Sequence, residues 1–284
     1  MNDLNGPNDL HDFDDFNDPS ASRMRNIKLV IEYEGTNYHG WQVQPELKTI
    51  QGVLQSKLSM ITKADTEVIG AGRTDAGVHA LGQAANFRTD SRMTPGEFKA
   101  ALNSVLPKDI VIKDVQEIES DFHARYSATS RTYRYTILNG TTPSAFLRNY
   151  TYLVSQPLDV DSMDDACRAL LGTHDFSSFA STGDPVRSFV RTVSDARMQD
   201  AGCLVTQAEA CYSSAEHRLI RFQIEANAFL RGMVRAIAGT LLGIGRGKML
   251  PEKMREILEA KTRSAGGPSL PGRGLCLIRV DYEP

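Results

Sequence analysis

The chain of 284 residues is predicted to adopt an α+β fold made of two related α/β-sandwich halves with a ferredoxin-like rhythm. Two kinds of segment follow one another along the chain. In one kind, apolar and polar residues alternate, as in half-buried strands; in the other, apolar residues recur at helical spacing. This succession runs once through residues 24–126 and again through residues 127–284. No residue-level repeat relates the two runs, so the duplication is inferred from their rhythm alone.

The first half begins with a strand over 26–34, where the odd-numbered residues are apolar and share one face. Apolar residues at helical spacing predict a helix over 49–63. Thr94 and Glu97 have the spacing of a capping box, and Pro95 stands at the first helical position, so a second helix is expected to begin there. Further strands are predicted over 67–69, 83–88 and 109–116.

The second half begins with a strand that starts at Arg131 and places Tyr133 and Tyr135 on the same face. A helix is expected over 161–171, with Asp161 as its N-cap because a carboxylate there can accept a free backbone N–H.

A further strand over 219–226 is expected to lead directly into a helix capped by Asn227. Arg231 and Arg235, four residues apart, would share a face of that helix. A last helix is predicted over 251–261 and a last strand over 275–282, while 198–216 has no clean period and suggests a hairpin or an insertion.

Charge separates the first residues from the rest of the chain. Residues 1–22 hold six aspartates and no lysine or arginine, so we predict a disordered acidic tail over 1–23. The net charge of the whole chain is −3. The rest of the chain has 29 of the 35 acidic residues and 32 basic ones. It is therefore mildly basic, which is compatible with a polyanionic partner.

Composition also excludes several classes of protein. No apolar run approaches the roughly 20 residues that span a bilayer, and the N-terminus lacks the pattern of a secretory signal, so a cytoplasmic protein is expected. The cysteines form no CxxC pair and predict neither a zinc site nor a disulfide framework; they are Cys167, Cys203, Cys211 and Cys276.

The most unusual segment is residues 71–79, which read Ala-Gly-Arg-Thr-Asp-Ala-Gly-Val-His. It places a guanidinium, Arg73, and a carboxylate, Asp75, on a glycine-bracketed loop between two predicted strands. Taken alone, such a loop also fits a surface ion pair, which is common and weak.

This segment resembles the AGRTDAGVH signature of the TruA family of tRNA pseudouridine synthases. Six further matches follow the family's order: 32–36 with 40–42, 102–107, 122–125, 131–135, 227–229 with 233–235, and 274–275. Together they extend over most of the chain, from about residue 28 to 282, which favours a functional loop over a surface ion pair.

The resemblance implies an isomerase that converts uridine to pseudouridine in the anticodon stem-loop of tRNA, at positions 38, 39 and 40, with no cofactor and no metal. It also implies that the two halves share a mixed, mainly antiparallel sheet with a central RNA-binding cleft. The family is homodimeric, so one tRNA is expected to contact both subunits.

By the same resemblance Asp75 is the catalytic aspartate, and Arg235 is the arginine that forms an ion pair with it. The reaction breaks the bond between uracil N1 and the ribose and rejoins the base through C5. A carboxylate suits an oxocarbenium-like sugar, as in glycosidases. Whether Asp75 adds to the sugar, adds to the base or removes a sugar proton stays open.

Three further residues match positions that hold the target nucleotide. Arg73 resembles the arginine that fills the place of the flipped nucleotide in the stack. Tyr133 matches the residue that stacks beneath the flipped base, and Leu275 matches the apolar residue on its other side. From spacing alone, a tyrosine on a strand would have been assigned to the core.

Basic residues near the matched segments are candidates for phosphate contacts, although solvated faces explain each of them equally well. They are Arg125, Arg131, Arg231 and Lys248, of which Arg125 is taken as a substrate-binding residue. Neither His79 nor His123 has a second ligand-type residue at zinc spacing, so no metal is expected.

Two other classes of function are alternatives to the isomerase. A catalytically silent RNA-binding protein or RNA chaperone of the same fold would be indicated by an altered Asp75 or Arg235, and both residues are present. A metal-dependent nuclease or deaminase requires a carboxylate cluster or an H-x-E with P-C-x-x-C pattern, neither of which occurs.

Overall fold

Ten strands form one sheet in the computed structural model, which describes residues 24–181, 183, 187–200 and 217–283. The strands are β1 (Arg25–Tyr33), β2 (Val68–Gly70), β3 (His79–Thr89), β4 (Ile110–Ile118), β5 (Ala128–Gly140), β6 (Tyr152–Val154), β7 (Gly172–Asp175), β8 (Val190–Asp200), β9 (His217–Ala226) and β10 (Leu275–Tyr282). Their order is β4-β1-β3-β10-β5-β9-β8-β7, with β2 on β3 and β6 on β5. The β3–β10 and β5–β6 pairs are parallel and the others are antiparallel, which confirms the mixed, mainly antiparallel sheet.

The last strand joins the two parts of the sheet. β10 lies between β3 and β5, pairing Cys276 with His79 in the parallel direction and Leu277 with Tyr133 in the antiparallel direction. Strands that precede residue 126 lie on one side of β10 and the later strands lie on the other. The loop that follows β2 is therefore carried by one part of the sheet, next to strands of the other.

Five helices are described in the same residues: α1 (Ile50–Thr62), α2 (Pro95–Val105), α3 (Val160–Cys167), α4 (Met233–Gly245) and α5 (Lys253–Ala260). α2 contacts β4, α3 contacts β8, and α4 contacts β5. Helices packed on a largely antiparallel sheet make an α+β fold, as predicted.

The local signals of the first half are confirmed. The odd-numbered residues of β1 from Ile27 to Tyr33 are buried, with Ile27, Leu29 and Ile31 fully so. Thr49 caps α1 by accepting the Gly52 N–H. The capping box of α2 is complete, because Thr94 Oγ1 accepts the Glu97 N–H at 3.3 Å and Glu97 Oε2 accepts the Thr94 N–H at 2.7 Å.

The predicted cap of α3 is wrong by two residues. The carboxylate of Asp159, not that of Asp161, accepts the Ser162 N–H at 3.0 Å and the Ser162 hydroxyl at 2.7 Å. α3 therefore begins at Val160, and Asp161 lies in its first turn, where a negative charge still favours the helix dipole.

The predicted start of α4 is also wrong. The side-chain oxygen of Asn227 accepts the Thr192 N–H of β8 at 3.0 Å and is therefore not available as a helix cap. The chain instead turns through Gly232, whose φ of +73° is the left-handed conformation that glycine adopts readily, and α4 begins at Met233. Arg231 consequently lies before the helix and does not share a helical face with Arg235.

The segment before β10 is fastened to α4. Gly267 donates its N–H to Thr240 Oγ1 at 2.8 Å, and Leu270 donates its N–H to the Arg235 carbonyl at 3.1 Å. A side chain at Gly239 would collide with the Pro268 carbonyl, so glycine permits this close approach. These contacts fix the first turn of α4 relative to the segment that leads into β10.

Some sequence predictions fall beyond what the structure describes. The acidic tail over 1–23 and residues 201–216 of the proposed insertion lie outside the described residues, whereas 198–200 belong to β8. Within the described part, Cys167 and Cys276 are free thiols, and none of the helices is long and apolar enough to cross a membrane.

Candidate active site

Asp75 lies on the loop of residues 71–78 that connects β2 to β3, which we call the Asp75 loop. The backbone of the loop is held at its centre, where the Trp41 N–H donates to the Thr74 carbonyl at 3.0 Å. Gly40 permits this contact, because its φ is +89° and a Cβ at this position would lie 2.5 Å from the Thr74 oxygen. The hydroxyls of Tyr33 and Thr74 are hydrogen-bonded at 2.8 Å.

The two ends of the loop are fastened as well. The Ala71 N–H donates to the Ala84 carbonyl at 2.8 Å, and Gln83 Nε2 donates to the Gly72 carbonyl at 3.0 Å. At the other end the Gly77 N–H donates to the Tyr38 carbonyl at 3.3 Å. The position of Asp75 is therefore determined by the surrounding fold, although the residue lies on a loop.

Asp75 and Arg235 form an ion pair across the two parts of the molecule. Arg235 Nη1 lies 2.8 Å from Asp75 Oδ2, and the two side chains are 24% and 28% exposed. Arg235 Nε donates to the Leu270 carbonyl at 2.6 Å, which orients the guanidinium. Among the described residues, none donates a hydrogen bond to Asp75 Oδ1, whereas Oδ2 is held by Arg235.

Tyr133 lies on β5 close to this pair. Its side chain is 7% exposed and packs edge-on against Phe229, with ring centroids 5.0 Å apart. Burial raises the pKa of Tyr133, and the negative charge of Asp75 raises it further. The phenol is therefore held protonated beside the carboxylate.

Leu275 begins β10 and lies on the neighbouring strand. It pairs with Tyr135, while Leu277 pairs with Tyr133, so Leu275 and Tyr133 are diagonal neighbours across the two strands. Leu275 is 6% exposed. The structure thus brings four of the predicted residues to one region: Asp75, Arg235, Tyr133 and Leu275.

The two remaining predicted residues are exposed. Arg73 makes no hydrogen bond or ion pair with a described residue. Arg125 lies 5.7 Å from the ring centre of the exposed Tyr126, which in turn packs against His123 at 4.3 Å. Neither arginine is brought into contact with Asp75.

The other basic candidates divide between surface and interior. Arg231 and Lys248 are exposed. Arg131 is only 8% exposed, and its guanidinium donates to backbone carbonyls, so the interpretation of Arg131 as a phosphate contact is wrong. Alternation along β5 could not show this, because two of the partners, Ala71 and Asn227, lie 60 and 96 residues away in sequence.

His79 serves the structure. Its Nδ1 accepts the Gly35 N–H at 3.0 Å, so the ring hydrogen is on Nε2, which lies 2.8 Å from the Asn149 carbonyl. Burial lowers the pKa of His79 and favours this neutral form. Across the described residues, no group of three His, Cys, Asp or Glu side chains has a geometry that could hold a metal ion.

Several residues that shape the site were not singled out from the sequence. Leu270 acts through its carbonyl, and Gly40 acts by having no side chain, so neither leaves a chemical signal of its own. Phe229 and Gly40 do fall within segments that match the family, and that is the signal that could have drawn attention to them.

Comparison with known proteins agrees with this geometry. A family model described as tRNA pseudouridine synthase matches residues 29–127 and 166–283. The chain is 46% identical to tRNA pseudouridine synthase A 2 of Clostridium perfringens, 45% to tRNA pseudouridine synthase A of Acetivibrio thermocellus and 47% to that of Caldicellulosiruptor saccharolyticus. Each alignment spans 259 residues, which are 91% of this chain and 100% of the relative. The chain therefore belongs to the tRNA pseudouridine synthase family, and it is an isomerase that converts uridine to pseudouridine in tRNA.

Proposed function

We propose that Asp75 is the catalytic carboxylate and that the uridines it acts on are those at positions 38, 39 and 40 of the anticodon stem-loop. The observation that carries the catalytic role is the ion pair with Arg235, which holds one carboxylate oxygen and leaves the other without a described partner. Such a carboxylate is oriented before substrate arrives, which lowers the cost of reaching the reactive geometry.

The chemistry is an isomerisation in which atoms balance within one nucleotide. The bond between N1 and C1′ breaks, the uracil turns, a bond forms between C5 and C1′, and the hydrogen of C5 leaves as a proton while N1 gains one. Asp75 Oδ1 can add to C1′ or to the base, or accept a sugar proton, and all three routes start from the same orientation. Arg235 keeps Oδ2 in place throughout.

Tyr133 and Leu275 are proposed to hold the uracil while it turns. The diagonal arrangement of the two side chains on neighbouring strands offers an aromatic and an aliphatic surface beside the Asp75 loop. Arg73, exposed on that loop, would occupy the position in the stack that the flipped nucleotide leaves. Arg125 would contact the RNA backbone.

We further propose that the protein is a homodimer in the cytoplasm and that one tRNA contacts both subunits in a cleft over the sheet. The support is the family alone. A light-scattering mass near that of the single 31.3 kDa chain would contradict the dimer.

The decisive experiment compares Asp75→Asn with the wild type on unmodified tRNA in EDTA, with pseudouridine mapped by position. The amide keeps the shape of the side chain but can neither add to the sugar nor accept a proton, so we expect turnover to be abolished and tRNA affinity to stay within about threefold. Transcripts with cytidine at position 38, 39 or 40 report each site separately.

Asp90→Asn is the matched control, because Asp90 is an exposed aspartate whose change removes the same charge. Its turnover should equal that of the wild type. If Asp75→Asn keeps more than a few per cent of wild-type turnover, the proposed role is wrong. If the wild type itself binds tRNA but forms no pseudouridine, the chain is a silent RNA-binding protein.

A further inference from the structure

A single buried guanidinium connects three backbone segments around the Asp75 loop. Arg131 lies on β5, where it pairs with Ala226 on one side and Val280 on the other. Its side chain makes four hydrogen bonds, and all of them end on backbone carbonyls: Ala128 at 3.0 Å, Asn227 at 2.7 Å, Ala71 at 3.1 Å and Arg125 at 2.6 Å.

These carbonyls belong to segments on which the site depends. Ala71 is the first residue of the Asp75 loop, and Asn227 begins the turn that leads into α4, the helix that carries Arg235. Arg125 precedes β5 in the connection from the first part of the sheet. Asp75 and Arg235 are 160 residues apart, so their contact requires these segments to be in register.

Burying this charge is unfavourable unless it is fully hydrogen-bonded. Burial lowers the pKa of Arg131, yet arginine stays protonated in proteins, so the four carbonyl dipoles must take the place of a carboxylate. The planar guanidinium presents its donors in a fixed fork, and two nitrogens each serve two carbonyls. A lysine ammonium is a point donor and cannot reproduce that geometry.

We infer that Arg131 is a positioning residue for the isomerisation, which holds the start of the Asp75 loop in register with the turn before the helix of Arg235. The inference rests on the proposed catalytic role of Asp75. It assigns Arg131 no contact with RNA, because the side chain is buried and its donors point to protein carbonyls.

The test measures three quantities for Arg131→Met and Arg131→Lys: the single-turnover rate at saturating protein, the Kd for unmodified tRNA, and the Tm. A displacement of about 1 Å at a reacting group can reduce a rate on the order of a hundredfold. We therefore expect the rate to fall about a hundredfold in Arg131→Met and about tenfold in Arg131→Lys, with Kd within threefold of the wild type.

Asn139→Ala is a matched control for loss of stability. Asn139 lies on the same strand, is also 8% exposed, and its amide donates to the carbonyls of Val154 and Gln156 at 2.8 and 2.7 Å. It lies eight residues, or about 26 Å, along β5 from Arg131. It should lower Tm while leaving the rate at saturation unchanged below the transition.

Chemical rescue separates positioning from general stability. Guanidinium ion at millimolar concentration should restore part of the rate to Arg131→Ala, and methylammonium at the same ionic strength should not, because only the planar ion offers the fork of donors. Asp75→Asn, measured in parallel, should not respond to either ion.

Two outcomes overturn the inference. In one, Arg131→Lys and Asn139→Ala lose a comparable amount of Tm, and the single-turnover rate of Arg131→Lys is no lower than that of Asn139→Ala. The other is a loss of tRNA affinity with a normal rate at saturation, which would make Arg131 a binding residue. If Arg131→Met does not fold, Arg131→Lys decides the question by the same criteria. An active Asp75→Asn would refute the proposed function instead, whatever the Arg131 variants do.

Discussion

At the scale of the residue, Tyr133 has two tasks open to it, since its ring can stack on a base and its hydroxyl can carry a proton. Burial and the nearby Asp75 both raise the pKa of Tyr133, which makes the phenolate a rare species at neutral pH. The ring itself is fixed edge-on against Phe229. A rigid ring with a protonated hydroxyl favours the role of a stacking surface.

We therefore predict that Tyr133→Phe binds tRNA and turns over nearly as the wild type, whereas Tyr133→Leu loses on the order of 1–3 kcal/mol of binding free energy through lost base stacking. Single-turnover kinetics and tRNA binding measure both effects. A turnover defect in the Phe variant, with tRNA binding kept, would instead assign the hydroxyl to the C5 proton.

Phe222→Leu is a control for the loss of an aromatic ring from a buried position in the sheet. Phe222 is fully buried on β9 and pairs with Tyr135, so this variant should lose stability but not tRNA affinity. If both Tyr133 variants behave as the wild type in binding and turnover, Tyr133 is a core residue and the base is held elsewhere.

At the scale of the element, the Asp75 loop owes its shape to residues outside it. Gly40 lies against the Thr74 carbonyl, one residue before Asp75, in a backbone conformation with φ of +89°. A methyl group there would meet the carbonyl oxygen at 2.5 Å, and neither backbone segment yields easily because the Trp41 N–H is bonded to that same oxygen. The Thr74 peptide would have to move, and Asp75 with it.

Gly40→Ala is accordingly predicted to reduce the single-turnover rate at least tenfold, beyond its effect on stability. Gly247→Ala is the matched control, since Gly247 also has a positive φ, of +68°, but open space around its Cβ position. A left-handed backbone conformation alone costs a non-glycine residue roughly 1–2 kcal/mol of folding free energy. Gly247→Ala should therefore lower Tm and leave the single-turnover rate unchanged. Equal rates for the two variants below their transitions would show that the loop tolerates the displacement.

At the scale of the whole molecule, charge is distributed unevenly along the chain. Residues 1–22 carry six negative charges and no lysine or arginine, whereas the remainder is mildly basic. An acidic segment repels phosphate and should oppose tRNA binding at low salt.

Removing residues 2–22 is predicted to leave the single-turnover rate unchanged and to raise tRNA affinity, with the difference fading as salt increases. A full-length variant with all six aspartates changed to asparagine distinguishes charge from length, and it should bind as tightly as the truncated chain. Loss of turnover in a folded truncated chain would show that the segment has a function of its own.

The division of the chain near residue 126 stays a prediction, although the sheet agrees with it in one respect. Strands from before that point lie together, and the chain crosses to the other side of β10 after it. Because β10 comes from the C-terminus and pairs with both sides, the two parts share one sheet and are not separable in sequence.

Features that depend on neighbouring residues could be predicted from the sequence. The burial alternation of β1, the capping box of α2 and the bounds of β10 follow from neighbouring side chains and backbone groups, and all were predicted. The resemblance around residues 71–79 likewise points to the Asp75 loop.

Which groups distant in sequence come into contact depends on the three-dimensional fold. Asn227 has the residue type of a helix cap, but its side-chain oxygen accepts a hydrogen bond from β8, and α4 therefore starts five residues later than predicted, at Met233. Arg131 fits a phosphate contact by composition, but the fold surrounds it with four carbonyls. The physical reason is that a hydrogen bond requires donor and acceptor within about 3 Å, and periodicity reports which face a residue occupies, not which distant backbone atoms are brought to it.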